Sequence, residues 1–272
     1  MKVDIAEILV DRITRQETIN RISEYVRSGK RGYAVTVYSE FIVFAQSDPE
    51  YKQVLNNAAL SLPDGVGIIW AAKYLSLKAS NKIQALWQIV YTGASLIFAP
   101  SYCRTILPEQ VIGSRIIWDI AEMCQKQNFS MALVGGEQNV SQVTAEKLKT
   151  VCPSLKINLA ISNNVPFDQA LVQKIASSNS DILLIAYQPP KQEKWLAANI
   201  NALNVKMAMG VGGTFDYISG HRLNVPKLVS QLGLEWFWRL ITQPWRVKRI
   251  WNAIIVFISI VYRYKLKQQN LV

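Results

Sequence analysis

Ser130-Met131-Ala132-Leu133-Val134-Gly135-Gly136 is an apolar run ending in two glycines, and Asp181-Ile182-Leu183-Leu184-Ile185-Ala186-Tyr187 has the same form further along. Each reads as a buried strand. Working outward, helices over about 108–127, 139–150, 167–177 and 191–201 alternate with strands over 130–134, 156–161, 181–187 and 205–211. This alternation predicts an α/β fold, a Rossmann-like and mostly parallel sheet flanked by helices. Residues 33–37 read as a further strand, with a helix from about Ser39, and Asp48-Pro49 reads as an N-cap and first helical residue. Ser61-Leu62-Pro63-Asp64-Gly65 reads as a turn leading into a helix over 66–75. Residues 3–28 place Ile5, Ile8, Leu9, Ile13, Ile19, Ile22 and Val26 at near-helical spacing and predict one long helix. Residues 78–107, with Trp87, Tyr91, Phe98 and Tyr102 and few charges, read as an irregular or helical insertion.

With 272 residues, 50% of them hydrophobic and 18% charged, the chain can bury a large core and is not disordered. The net charge of +11 is concentrated at the carboxyl end. Residues 221–272 carry nine Lys/Arg against the one acid Glu235, a net +8, and hold four of the eight tryptophans. The expected division is therefore an α/β domain over 1–221 and a basic, aromatic-rich, helical and amphipathic appendage over 222–272. Cations interleaved with aromatics suit an anionic membrane surface or a nucleic acid. The longest apolar stretch, residues 253–262, is too short to span a bilayer. Its alternation with Arg and Lys favours an interfacial anchor over nucleic-acid binding, which is not expected. Three cysteines without motif spacing fit a reduced compartment. Residues 1–15 alternate charged and apolar residues rather than forming a signal peptide, so a cytoplasmic location is expected.

Candidate chemistry is spread along the chain. Gly135-Gly136 follows a strand and precedes a helix, and Gly210-Val211-Gly212-Gly213 ends the last strand. Such glycines let backbone N–H groups approach a phosphate, although tight turns alone account for them equally well. Asp64 lies in a bend flanked by Leu60, Leu62 and Val66, where desolvation would raise its pKa toward that of a general base; the alternative is a helix N-cap. Asp216 beside the last glycines reads as a ribose or base contact, or as a cap. Gln192, just after a strand, belongs near bound ligand or is simply a polar helix start. The single histidine, His221, has no nucleophile motif to serve. Neither His/Cys metal spacing nor an Asp-x-Asp pair is present, so no metal is expected.

Taken jointly, four segments resemble the WecG/TagA/CpsF family of glycosyltransferases. They are residues 62–70 (Leu-Pro-Asp-Gly-Val-Gly-Ile-Ile-Trp), 190–193 (Pro-Lys-Gln-Glu), 210–216 running on to Ser219-Gly220, and Leu234-Glu235-Trp236 with Arg239, Pro244, Arg246 and Arg249. The resemblance covers nearly the whole chain outside 78–107. It implies an inverting, metal-independent transfer from a UDP-sugar, typically UDP-N-acetylmannosamine, to a sugar on undecaprenyl diphosphate, building cell-envelope polysaccharide or teichoic acid. It implies Asp64 as catalytic base, Thr36 and Gln192 as substrate-site residues, Asp216 as a nucleotide contact, and Gly65, Gly135, Gly136, Gly212 and Gly213 around the nucleotide. Arg222, Arg239, Arg246 and Arg249 would meet the diphosphate at the inner face of the plasma membrane. Three positions depart from the family pattern: Tyr38 replaces an Asn, Gln110 an Arg, and Arg115 an Asp. Donor or acceptor is therefore expected to differ from the family type. A homo-oligomer is compatible with this reading, and the competing one is a non-catalytic, membrane-associated nucleotide-sugar scaffold.

Overall fold

The computed structural model describes residues 1–162, 166–222, 238 and 251–271. Six strands form one sheet: β3 (Gly32–Val37), β4 (Leu60–Pro63), β5 (Ser130–Gly135), β6 (Lys156–Ile161), β7 (Ile182–Ala186) and β8 (Met207–Gly210). Their order is β4-β3-β8-β7-β5-β6, and every neighbouring pair is parallel. The four central strands, β3, β8, β7 and β5, are buried along their whole length, which is why they appear in the sequence as continuous apolar runs.

Side chains alternate across the sheet into two apolar layers. Val35, Val37, Leu183, Ile185 and Ala208 face one core. It is covered by α2 (Ser39–Ser47), α3 (Pro49–Asn56), α4 (Val66–Ser76), α9 (Gln169–Ser177) and α10 (Lys191–Asn199). Ala34, Leu62, Met131, Leu133, Leu184 and Met209 face the other. There α1 (Arg15–Ser28), α7 (Gly113–Gln127), α8 (Val140–Val151) and the short α11 (Thr214–Ser219) pack. The expected Rossmann-like architecture is what the chain adopts.

Local readings differ in three places. The segment expected as one helix is a hairpin, β1 (Lys2–Ile5) and β2 (Ile8–Asp11), followed by α1. Its turn places Ala6 and Glu7 at φ 51° and 70°, and the Asp4 carboxylate accepts the Glu7 N–H at 2.8 Å. The true helix starts after a Thr14–Glu17 capping box. Residues 60–63, read as part of a turn, form the edge strand β4. The helix expected from 108 begins only at Gly113, because Val111 donates to the Pro63 carbonyl at 2.8 Å and extends β4's neighbourhood instead.

The insertion resolves into α5 (Lys82–Phe98) and a single turn, α6 (Pro100–Cys103). Tyr74 Oη donates to the Ala85 carbonyl at 3.2 Å and Trp70 Nε1 to Thr92 Oγ1 at 2.9 Å, so α5 runs antiparallel to α4. After a π turn, Asn252–Val256, the final helix α12 (Phe257–Gln268) lies along both. Phe257 and Val261 enter the core, and Lys265, fully buried, donates to the Tyr74 carbonyl and to Gln88 Oε1. The three cysteines are free and buried.

At the foot of α10, Glu193 is 1% exposed. Its carboxylate accepts from Gln192 and, at 3.4 Å, from Tyr51 Oη of α3. Burial is the dominant influence and pushes its pKa up to about 7 from an ordinary 4.5. Between those values the folded protein holds a proton that the unfolded chain has released, so this group makes stability fall as pH rises through that window. Glu193→Gln should therefore gain stability relative to the parent as pH rises from about 4.5 to about 7, by on the order of 3 kcal/mol, in urea melts across that range. A parallel pH profile for the two proteins would contradict the burial argument. A second test concerns Gly135, at φ +109°, where a Cβ would lie 2.5 Å from the Ala186 carbonyl oxygen. Gly135→Ala should cost at least about 2 kcal/mol, whereas Gly93→Ala, in open space within α5, should add about 0.5–1 kcal/mol. Urea midpoints of the two variants give the comparison.

Candidate active site

Because the strands are parallel, their carboxyl ends share one edge, and the residues singled out in the sequence collect there. Asp64 follows β4 directly, with its N–H donating to the Val37 carbonyl at 2.9 Å. It does not cap the next helix: the N-cap of α4 is Gly65, and no side chain caps it. The half-buried Asp64 side chain turns the other way. Its Oδ1 accepts the N–H of Gly113, the first residue of α7, at 3.2 Å. Gln110 closes the bend by donating its side-chain amide to the Asp64 carbonyl.

Thr36 and Thr214 complete this corner. A Cβ placed on Gly113 would lie 3.5 Å from Asp64 Oδ2, 3.6 Å from the Thr36 methyl and 4.0 Å from Thr214 Oγ1. The first residue of α7 thus stands in van der Waals reach of all three side chains. Thr36 is 6% exposed and donates to the Gly210 carbonyl at 3.4 Å, joining β3 to the glycine turn after β8. Thr214 donates to the Val211 carbonyl at 2.6 Å. Sequence reasoning did not single out Thr214; its place directly after Gly212-Gly213 was the available signal.

The glycine turn is braced from below. Gln192 is 2% exposed, and its Oε1 accepts from Tyr187 N at 3.1 Å and Gly212 N at 3.4 Å. It ties the ends of β7 and β8 together, and Gly210 leaves room for it, since a Cβ there would meet Gln192 Nε2 at 2.8 Å. Gly212 has φ +51°. Over Gly213, Asp216 pairs with Arg222 at 3.0 Å, and the Arg222 N–H returns to the Asp216 carbonyl at 3.0 Å. A Cβ on Gly213 would meet Asp216 Oδ2 at 3.5 Å and Arg222 Nη1 at 3.6 Å, so the ion pair sits at the rim of the turn.

Gly135 and Gly136 end β5, two strands beyond β8 and roughly 10 Å away at the usual strand spacing. The Gly136 N–H donates to the Ala186 carbonyl at 3.1 Å. The turns are therefore two stations along one crevice, not a single cradle. Tyr187 stands between them: its carbonyl is 3.9 Å from a Cβ on Gly212 and its ring 2.9 Å from one on Gly135. Its ring also packs on Phe167 at 4.3 Å, and Phe167 stacks on Trp195 at 4.9 Å. Tyr187 is a second lining residue that the sequence reading passed over, as the last residue of an apolar run.

Of the remaining positions, Tyr38 caps the backbone entry to α2 and packs on Phe41 at 4.7 Å, with its Cβ against Gly65. Arg115 is exposed in the first turn of α7, two residues from Gly113. His221 Nδ1 lies 2.9 Å from Ser219 Oγ, a local contact. Arg239, Arg246 and Arg249 lie outside the described residues. Among the described residues no group of three or more His, Cys, Asp or Glu could hold a metal ion.

Two similar proteins are named N-acetylglucosaminyldiphosphoundecaprenol N-acetyl-beta-D-mannosaminyltransferase. That of Bacillus subtilis (strain 168) is 26% identical over 234 residues, covering 85% of this chain and 80% of the relative. That of Bacillus spizizenii (strain ATCC 23059 / NRRL B-14472 / W23) is 25% identical over 226 residues, covering 83% and 77%. The family described as "Glycosyl transferase WecG/TagA/CpsF family" matches residues 3–86 and 78–271. The chain, an α/β enzyme with the bend at Asp64 facing a glycine turn, belongs to the WecG/TagA/CpsF family of glycosyltransferases.

Proposed function

We propose that the enzyme transfers a sugar, N-acetylmannosamine or a related hexose, from a UDP-sugar to a sugar carried on undecaprenyl diphosphate, with inversion and without a metal. One observation carries the reading: a carboxylate at the sheet edge, aimed at the N-terminus of α7, opposite the glycine turn after β8. In this scheme Asp64 takes the proton from the acceptor hydroxyl as that oxygen attacks the anomeric carbon. The anomeric carbon–phosphate oxygen bond breaks on the opposite face, and UDP leaves. Thr36 and Thr214 line the reacting corner. Gln192, buried under the turn, acts as a positioning residue that fixes Gly212.

The nucleotide is assigned to the crevice running from Gly212-Gly213 past Tyr187 toward Gly135-Gly136. Charge on the departing diphosphate is met by backbone N–H groups and by guanidinium groups. Arg222 stands at the rim of the turn, and Asp216 holds it there. Arg239, Arg246 and Arg249 are assigned the same task from the basic segment. Gln110 occupies the place of a family arginine and bonds the Asp64 backbone, so it shapes the bend and brings no charge. Arg115, on the adjoining helix turn, supplies a positive charge at that end. These exchanges support a donor or acceptor that differs from the family type. A lipid-borne acceptor supports an enzyme working at the inner face of the plasma membrane, and the polymer proposed is a cell-envelope polysaccharide or teichoic acid.

Asp64→Asn tests the assignment, because it preserves shape and the Gly113 contact while removing the base. Turnover of UDP-sugar with a polyprenyl-diphosphate-linked acceptor should fall by about 10²–10⁴-fold while UDP affinity, measured by calorimetry, stays within about twofold. Unchanged turnover would remove Asp64 from the chemistry. A parent protein that binds UDP but transfers no sugar from a panel of UDP-sugars would support the scaffold reading instead.

A further inference from the structure

Helix α5 is apolar on both faces. Inward it buries Ala85 and packs Ile89 and Leu96 on the core, with Gln88 (4% exposed) and Thr92 (0%) hydrogen-bonded into the body, to Lys265 and Trp70. Its outward face carries Ile83, Leu86, Trp87, Val90, Ile97 and Phe98, with Ile83 79%, Trp87 65% and Phe98 84% exposed. Their spacing places them in one stripe along the helix. An ordinary surface helix turns a polar face outward, so this exposed stripe calls for an apolar neighbour.

The charge around it identifies the neighbour. No acid occurs between Asp64 and Glu109, a segment that carries Lys73, Lys78, Lys82 and Arg104, and none occurs after Glu235. An apolar, aromatic-bearing stripe in a segment whose charged residues are all cations matches an anionic phospholipid surface. At about 1.5 Å per residue α5 is about 25 Å long, and among the described residues no helix is long and apolar enough to cross a membrane. The stripe therefore lies in the interface and does not span it.

The direction of the helix ties this surface to the site. Because α5 returns antiparallel to α4, which leaves the site at Gly65, Phe98 is at the site-facing end of the stripe. Helix α12 runs parallel to α4, with Phe257 against Gly67 and Lys265 against Tyr74, so the exposed Trp251 and Ile255 precede it at that same end. We infer that the outward face of α5, together with Trp251 and Ile255, seats the enzyme in the headgroup region of an anionic bilayer and brings the mouth of the active site to the membrane surface. The inference rests on the acceptor being a membrane lipid, and it assigns the seating to an insertion in the domain as well as to the basic segment.

An environment-sensitive fluorophore on Val90→Cys, with the same probe on Lys149→Cys of the opposite layer as control, reads the seating directly, since the native cysteines are buried. With phosphatidylglycerol vesicles and neither donor nor acceptor, the Val90→Cys probe should brighten several-fold and shift to the blue, and the control should not. Equal responses at the two positions would overturn the inference. So would brightening without vesicles that accompanies a doubled mass in solution, which would mark a second copy of the chain as the occupant. As an independent measure, combined Trp87→Ser, Val90→Ser and Phe98→Ser should weaken vesicle binding by at least about tenfold. Unchanged binding would overturn the proposal. If that variant loses vesicle binding but transfers sugar normally to a short-prenyl, water-soluble acceptor, both the seating and the transferase reading stand. Loss of vesicle binding with no transfer by the parent enzyme on either acceptor would leave the seating standing and remove the transferase reading.

Discussion

Parallel pairing of all six strands is the constraint from which the site follows. In a parallel sheet every strand must end on the same edge, and each connection must leave from that edge to cross a face. Asp64, Tyr38, Gly212, Tyr187 and Gly135 are each at or just beyond a strand's end, so one topological fact assembles groups drawn from positions 38 to 212 of the sequence. The sheet order then sets the spacing: β4, β3 and β8 bring the carboxylate near the glycine turn after β8, and β7 puts a tyrosine between that turn and the one ending β5.

Within the site, backbone does much of the positioning. The carboxylate is held by a helix N-terminus, the bend beneath it by a strand carbonyl and a glutamine, and the glycine turn by a second, buried glutamine. Both glutamines are neutral, so they fix geometry without fixing charge. The charged groups, Asp64 on one side and the Asp216–Arg222 pair on the other, stay at the carboxyl edge of the sheet, where the proposed transfer would call on them. Glu193 shows the complementary case: a carboxyl sealed under the same turn, whose burial penalises charge.

The long buried strands were legible because two-sided burial leaves continuous apolar runs, as in residues 130–135 and 182–186. The hairpin was not, because Ile5, Ile8 and Leu9 satisfy helical spacing, and its turn uses Ala6 and Glu7 where Gly or Asn would have announced it. Strand β4 was hidden by its four-residue length and its terminal proline. Asp64 could be singled out from its bend, but its partner could not: the Gly113 contact joins positions 49 apart across an insertion. Likewise, Glu193 became a buried acid only when α3 supplied Tyr51, which no local pattern encodes.

The late helix α12 has a consequence for how the molecule comes to exist. Its Lys265 meets groups at positions 74 and 88, and its Tyr264 hydroxyl donates to Asp4 at 2.8 Å, the far end of the chain. The first core layer is therefore left open until Phe257, Val261 and Lys265 have emerged from the ribosome, although most of its apolar side chains are made far earlier. A nascent chain halted before that point exposes the slots for Phe257 and Val261, and these are the surfaces a chaperone would have to cover while synthesis finishes.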